Sequence, residues 1–392
     1  MGIAEQLPER SRRSLAAGGA LMAFLMKYGP RAAAPGACDF MAGNPTELPL
    51  PEYVEALQKA VVADSPAYYR YGPPWQPAID AVAQALGERL GLPIDPQDVV
   101  LTRGAASGLV LLLRLLVERG DEVLMMSPPW FFYESLVLQE GGEPVKVPLI
   151  GERFDLDLPA IEAAITPRTR IVLLNTPHNP SGRIYPLEDL TGLATILQEA
   201  SERHGRRIFL ISDEAYARIL FTGARMVTPA HAYPSTFLLH TYSKSILAPM
   251  QRAGYMAMAP AMPDREALRM PLLWASLSMG GPPDTGMQHA MPELERMLID
   301  LPAIERRRDR LVAALRAMGY RLETPEAGFY LFIHSPMPDA VAFCDWLAER
   351  GVFTLPGEAF ERPGYFRMSL TATDEMVDRA LPILEEAAKL TA

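Results

Sequence analysis

The sequence predicts an α/β protein: a large domain built on a mostly parallel sheet covered by helices, then a smaller α+β domain at the C-terminus. Two observations carry this. Over the first two thirds of the chain, short apolar runs of strand length alternate with helix-length segments, a rhythm that sets parallel strands side by side under helices on both faces. From about Pro302 the pattern changes to long amphipathic helices, at 303–318, 339–350 and 374–390, set around short strands. The 392 residues, 49% hydrophobic and 21% charged, exceed what one small core needs and suit a large domain with a smaller partner.

Taken in order, residues 1–38 place Arg10, Arg12 and Arg13 ahead of the apolar run 15–26, in imitation of a secretory signal. Glu5 and Glu9 in the basic region, with Lys27 and Arg31 before any cleavage site, argue instead for an N-terminal arm and helix. Residues 39–45 read as a short strand entering a tight turn at Gly43. A strand at 98–102 precedes a helix at 104–119 with a long apolar face. That helix opens Gly104-Ala105-Ala106-Ser107-Gly108, and small residues at a helix N-terminus let backbone N–H groups and the helix dipole meet an anion. The strand at 122–126 leads into Ser127-Pro128-Pro129-Trp130-Phe131-Phe132-Tyr133. A strand at 143–147, a helix at 186–204 and a helix-rich passage at 260–279 follow, and Gly280-Gly281-Pro282-Pro283 ends the last.

Three further apolar runs each finish in a polar cluster. Residues 170–174 run into Asn175-Thr176-Pro177-His178-Asn179-Pro180-Ser181-Gly182, residues 207–212 into Asp213-Glu214-Ala215-Tyr216, and residues 237–239 into Thr241-Tyr242-Ser243-Lys244, with Arg252 eight residues on. In an open α/β sheet ligands bind at the carboxyl ends of the strands, so these clusters should meet in one crevice. A lysine at the end of a buried strand can be a nucleophilic amine. With a carboxylate to hold a pyridinium nitrogen protonated, and a tyrosine and an asparagine to bond a phenolate oxygen, it would form a pyridoxal phosphate site.

The ordered set N-x-P-x-N-P-S-G, D-E-A-Y and S-K with an arginine at plus eight resembles the class I/II aminotransferases of pyridoxal-phosphate fold type I, from about Asp39 to the C-terminus. The resemblance implies a seven-stranded sheet and a homodimer with shared active sites. It implies residues 1–45 as an arm leaning on the partner subunit and as part of the small domain, 46–285 as the cofactor-binding domain and 286–392 as the small domain. Lys244 would form the Schiff base with pyridoxal 5'-phosphate and move the substrate's Cα proton, Asp213 would hold the ring nitrogen protonated, and Tyr216 and Asn179 would bond the ring oxygen. Trp130 would stack on the ring, and Gly104, Ala105, Ala106, Thr241, Ser243 and Arg252 would hold the phosphate. Tyr71, with Tyr69 as rival, would reach a partner's phosphate. Gly43, Asn179 and Arg367 would bind the substrate, Gly43 and Arg367 at its α-carboxylate, the arginine through a planar fork that lysine lacks. The implied activity is transfer of an amino group from an L-amino acid to a 2-oxo acid. β-Elimination or decarboxylation on the same fold is the alternative.

Other classes fit less well. A net charge of −10 argues against nucleic acid as the main partner, and residues 1–38 show no helix-turn-helix pattern for a cofactor-sensing regulator. Two cysteines make no disulfide framework, so a reducing cytoplasm is expected. The six histidines show no metal-ligand spacing, His178 reads as a loop residue, and no apolar run is long enough to span a bilayer. The amino donor stays open. Arg265 and Arg269 are the basic residues in 260–291 that could read a dicarboxylate from across a dimer, whereas Trp75, Trp130, Phe329 and Tyr330 would tolerate apolar or aromatic donors.

Overall fold

Seven strands form one sheet at the centre of the computed structural model, which describes residues 6–390. In chain order the strands of the molecule are β1 (Cys38–Asp39), β2 (Val99–Thr102), β3 (Glu122–Ser127), β4 (Glu143–Pro148), β5 (Thr169–Asn175), β6 (Phe209–Asp213), β7 (Thr236–Thr241) and β8 (Gly254–Met258). They continue with β9 (Tyr330–His334), β10 (Val352–Phe353), β11 (Leu355–Pro356) and β12 (Tyr365–Ser369). The large sheet runs β2-β8-β7-β6-β5-β3-β4, and only β8 opposes the common direction. β6 and β7 are buried along their whole length, because helices cover both faces; their sequences are near-continuous apolar runs for that reason. On one face Leu109, Leu112 and Leu272, from helices Ala105–Leu116 and Arg265–Ser278, pack on Ile171, Ile211, Phe237 and Leu239. On the other, helix Leu187–His204 sets Leu193 and Leu197 against Leu124, Val172 and Leu210. Helices Gln76–Leu90 and Thr285–Leu294 cover Leu101, Leu238 and Tyr255.

The smaller C-terminal domain holds an antiparallel sheet of order β11-β12-β9. β1 pairs parallel with β10, Cys38 opposite Val352, so the N-terminal segment joins the small domain as expected. Ahead of it, helix Glu9–Ala32 lies along its own chain and touches both domains. Near its start Arg13 makes a two-point ion pair with Glu143 (2.7 and 2.9 Å), and Ser14 and Ser135 exchange hydrogen bonds. Near its end Lys27 and Tyr28 donate to Asp345, and Arg31 donates to the Ala348 carbonyl. The helix expected at 104–119 stops at Leu116, because Val117 is extended and Gly120, at φ +90°, turns the chain into β3. Among the described residues no helix is long and apolar enough to cross a membrane.

Candidate active site

β5, β6 and β7 lie side by side and end together, with Asn175 opposite Asp213 and Asp213 opposite Leu239. Their last residues and the loops beyond them surround a cleft of about 600 Å³ lined by Ala105, Ala106, Trp130, Tyr133, Asn175, Asn179, Asp213, Ala215, Tyr216, Thr241, Ser243, Lys244, Pro249 and Arg252. The crevice predicted from three strand ends is therefore formed.

At its floor Asp213 is buried, and desolvation raises its carboxyl pKa against the opposing pull of two hydrogen bonds and the Lys244 charge. The Tyr133 hydroxyl donates to Oδ2 at 2.6 Å and the Ala215 N–H to Oδ1 at 3.1 Å. A buried carboxylate with no cation bonded to it suits a protonated ring nitrogen. Asn175 braces the loop above: its Nδ2 donates to the Asp213 carbonyl (2.9 Å), and its Oδ1 accepts from the Asn179 N–H (2.7 Å). His178 does more than occupy that loop. It is buried, and its ring nitrogens bond Ser181 Oγ (2.7 Å) and the Pro128 carbonyl (2.9 Å), while desolvation pulls its pKa down to about 4 and keeps it neutral.

Lys244 stands in the short helix Tyr242–Ser245, which starts at the end of β7 and is capped by the Thr241 hydroxyl (3.2 Å from the Ser243 N–H). Its Nζ lies 5.7 Å from the centroid of the Phe329 ring. Thr241 Oγ1 also donates to Ser243 Oγ, which accepts from Arg252 Nη1, both at 2.9 Å. Gly104 completes this corner at φ +88°, where a Cβ would come within 2.6 Å of Arg252 Nη2; only glycine lets the helix start approach the guanidinium. Met250, two residues before Arg252, is exposed. Burial lowers the Arg252 pKa, and no carboxylate appears among its partners. A helix N-terminus, two hydroxyls and an unpaired guanidinium form a fitting cradle for a phosphate.

Trp130 forms a side wall, edge-on to Phe132 and Tyr133 with centroids 5.2 and 5.3 Å away. Tyr216 is buried edge-on to Phe329 and Tyr330. Desolvation holds its phenol pKa well above the ordinary value; burial also pushes Tyr330 up, but the charges of Arg367 and Lys244 carry it below its own.

Arg367, on β12, is not a solvent-facing strand arginine. It is 2% exposed, donating from Nη1 to Asn179 Oδ1 (3.1 Å) and from Nη2 to the Met41 carbonyl (2.7 Å), while Nε has no partner. Its Cζ lies 3.8 Å from the Tyr330 ring centroid and 4.7 Å from that of Phe360. Gly43 backs the same corner: a Cβ there would lie 2.3 Å from Phe329 and 2.6 Å from the Tyr330 hydroxyl. A buried guanidinium with a free donor and no anion has the chemistry to receive a carboxylate.

Three expectations fall outside this cleft. Tyr71 and Tyr69 are exposed, Tyr71 fully (108%). Trp75 stacks on His289 at 3.9 Å. Arg265 and Arg269 are both engaged by Asp98, which is 1% exposed, with Arg269 also on Asp95. Sequence reading missed Tyr133 and Asn175 as supports of Asp213, and Phe360 as a cover of Arg367. Tyr133 was visible only as the last of an aromatic run, and its partner lies 80 residues away.

Comparison with known proteins agrees with this geometry. Residues 35–384 match the family model for aminotransferase class I and II. The aspartate/prephenate aminotransferase of Thermus thermophilus is 31% identical over 355 residues, 87% of this chain and 88% of that protein. The crystal structure of an amino transferase from Eubacterium rectale superposes with a TM-score of 0.87 at 27% identity, covering 94% of this chain and 95% of that one. N-succinyldiaminopimelate aminotransferase from Mycobacterium tuberculosis gives a TM-score of 0.81 at 26% identity, over 94% and 98%. The chain belongs to the class I and II aminotransferases, enzymes that depend on pyridoxal 5'-phosphate to move an amino group from an amino acid to a 2-oxo acid.

Proposed function

We propose that transamination takes place in this cleft with Lys244 as the cofactor-holding amine and Arg367 as the reader of the substrate α-carboxylate. The observation that carries the proposal is that Arg367, buried and without an anion, bonds Asn179, which lines the same cleft as Lys244. Pyridoxal phosphate, when bound, supplies an electron sink for the substrate carbanion. Asp213, fixed by Tyr133 and the Ala215 N–H, holds the proton on the ring nitrogen. Tyr216 and Asn179 donate toward the ring oxygen, and Trp130 covers one face. Gly104, Ala105, Ala106, Thr241, Ser243 and Arg252 take the phosphate. The Arg367 fork, with Gly43 leaving room beside it, orients the amino acid so that Lys244 Nζ, once free, removes the Cα proton.

The assembly that goes with this reading is a homodimer whose Tyr71 reaches the partner's phosphate, which accounts for a tyrosine ring left wholly exposed in the single chain. Residues 1–45 then serve as arm and part of the small domain, 46–285 as the cofactor domain and 286–392 as the small domain, in a cytoplasmic enzyme. Borohydride treatment of the purified yellow protein should fix the cofactor to the peptide containing Lys244. Label on another lysine would move the site elsewhere.

A further inference from the structure

We infer that the preferred amino donor carries an aromatic or large apolar side chain rather than a second carboxylate. This rests on the reading that Arg367 takes the α-carboxylate, and asks what remains for the rest of the donor.

The first consideration is charge. The basic side chains lining the cleft are Lys244 and Arg252, with Arg367 at its edge. All three are committed, to the amine, the phosphate and the α-carboxylate. The two arginines that could have read a distal carboxylate are held elsewhere: Arg265 Nε and Arg269 Nε each lie 2.8 Å from the buried Asp98, and Arg269 Nη2 lies 2.9 Å from Asp95. Swinging either away would take from Asp98, which is 1% exposed, one of its two cations, an unfavourable exchange.

The second consideration is the wall. Trp130, which lines the cleft with Tyr133 and Tyr216, continues outward through Phe132 (centroids 5.2 Å apart) and Phe131 (5.9 Å), while the fully buried Phe360 and Phe329 back Arg367 and the lysine from behind. Phe132, 39% exposed, stands at the open end of this arc. Within one protomer Lys146 is already paired with Glu134 and Glu361, next in sequence to Tyr133 and Phe360 (2.6 Å each), so a carboxylate moved along the arc would lose water and meet no free cation there. An aromatic or branched apolar side chain would bury surface and find edge-on ring partners. The preference therefore departs from that named for the Thermus thermophilus relative.

The test uses holoenzyme and single half-reactions, following the cofactor's absorbance with L-phenylalanine, L-leucine and L-methionine against L-aspartate and L-glutamate. The expected result is kcat/KM higher by about 100-fold or more for the first group. A readout free of turnover is calorimetric binding of 3-phenylpropionate against succinate, with the aromatic acid expected to bind more tightly. Phe132→Ala should narrow the ratio of phenylalanine to alanine by about tenfold, and Arg265→Ala and Arg269→Ala should leave the donor ranking as it is. Aspartate or glutamate matching phenylalanine would overturn the inference while leaving transamination at Lys244 standing. Loss of dicarboxylate activity alone on removing Arg265, Arg269 or the exposed Arg70 would also overturn it, by identifying a distal reader. If no α-amino acid changes the cofactor's absorbance, the proposed function fails and the inference with it.

Discussion

Two buried groups of arginines in this chain meet opposite surroundings. Arg89 and Arg218 approach Glu295 Oε2 at 3.5 and 3.7 Å, beneath β7 and β8. Glu295 Oε1 accepts from the Tyr242 hydroxyl at 2.6 Å, and Arg89 donates to the Tyr255 hydroxyl at 2.6 Å. Arg218 also satisfies the carbonyls of Leu294, Glu295 and Met297. Arg367, more deeply buried than either, has two neutral acceptors, aromatic rings and an idle Nε, an idle atom it shares with Arg89. Burial lowers the Arg367 pKa, whereas for Arg89 nearby Tyr255 and Glu295 outweigh desolvation and raise it. The first group has its anion built in, as scaffold does; the second lacks one, as the proposed receptor should. Neither burial of a charge nor an unmet donor alone marks a functional residue, as Arg89 Nε shows; a buried guanidinium with no anion, bonded to a residue that lines a cleft, is the stronger sign.

The comparison can be broken by substitution. Glu295→Gln leaves two buried guanidinium groups without their anion and should cost about 3–5 kcal/mol of stability in urea unfolding, with donor affinities nearly unchanged. A loss below about 1 kcal/mol would mean that the cluster is not scaffold.

The same region should set a pH dependence. Burial raises the Glu214 carboxyl from 4.5 to about 7, against hydrogen bonds from Thr228 and Ser212 and the charge of Arg89. Between those values the folded chain keeps a proton that the unfolded chain releases. The associated stability, about 3 kcal/mol, is present below pH 4.5 and is lost as pH rises through 7. Unfolding midpoints at pH 5 and 8 should therefore lie closer together in Glu214→Gln than in wild type. His178, which acts in the opposite sense below its ordinary pKa, cancels in that difference. Equal pH slopes in the two proteins would remove Glu214 from the account.

On the receptor side, Arg367→Lys should cost roughly 2–4 kcal/mol in kcat/KM for every donor and leave the melting temperature unchanged or higher, since no native ion pair is lost. A fall in stability matching the fall in activity would place Arg367 with the scaffold. Loss of one donor class alone would make it a side-chain reader. Asp213→Asn should retain cofactor and lose about 10³-fold in rate, close to 4 kcal/mol, as a calibration for these effects. The smallest change expected is Tyr133→Phe, about 1.5 kcal/mol in kcat, because it removes one hydrogen bond to Asp213. It should also move the acid limb of the pH–rate profile upward, since that hydrogen bond favours the ionised carboxylate.

What could be read in advance follows the range of the interactions. Asp213, Asn179, Thr241 and Lys244 were legible because each ends or follows an apolar run, and the rule that strand ends gather a ligand is a property of the sheet. Arg367 was legible only through resemblance: a five-residue strand with apolar neighbours can face water, and its burial follows from lying between β9 and β11 with Asn179 and Met41 closing over it. Tyr133 and the Glu295 cluster were hidden because their partners lie 53 to 206 residues away, a separation that local pattern does not encode (295 − 89 = 206).

Helix Glu9–Ala32, 24 residues long, is a rod of roughly 36 Å fastened near both ends, once to each domain. Its two fastenings are unequal. The Arg13–Glu143 pair is 43% and 46% exposed and weakly held, whereas near the other end Tyr28 is buried at 2% and bonded to Asp345. Under load a strut with one soft and one firm pin slips at the soft one. Any displacement of the small domain relative to the large one should therefore carry the C-terminal end of the rod with it, with the slack taken up at Arg13. Amide exchange should then quicken first around Arg13, where the Ser14–Ser135 hydrogen bonds are the remaining tie, and last around Tyr28.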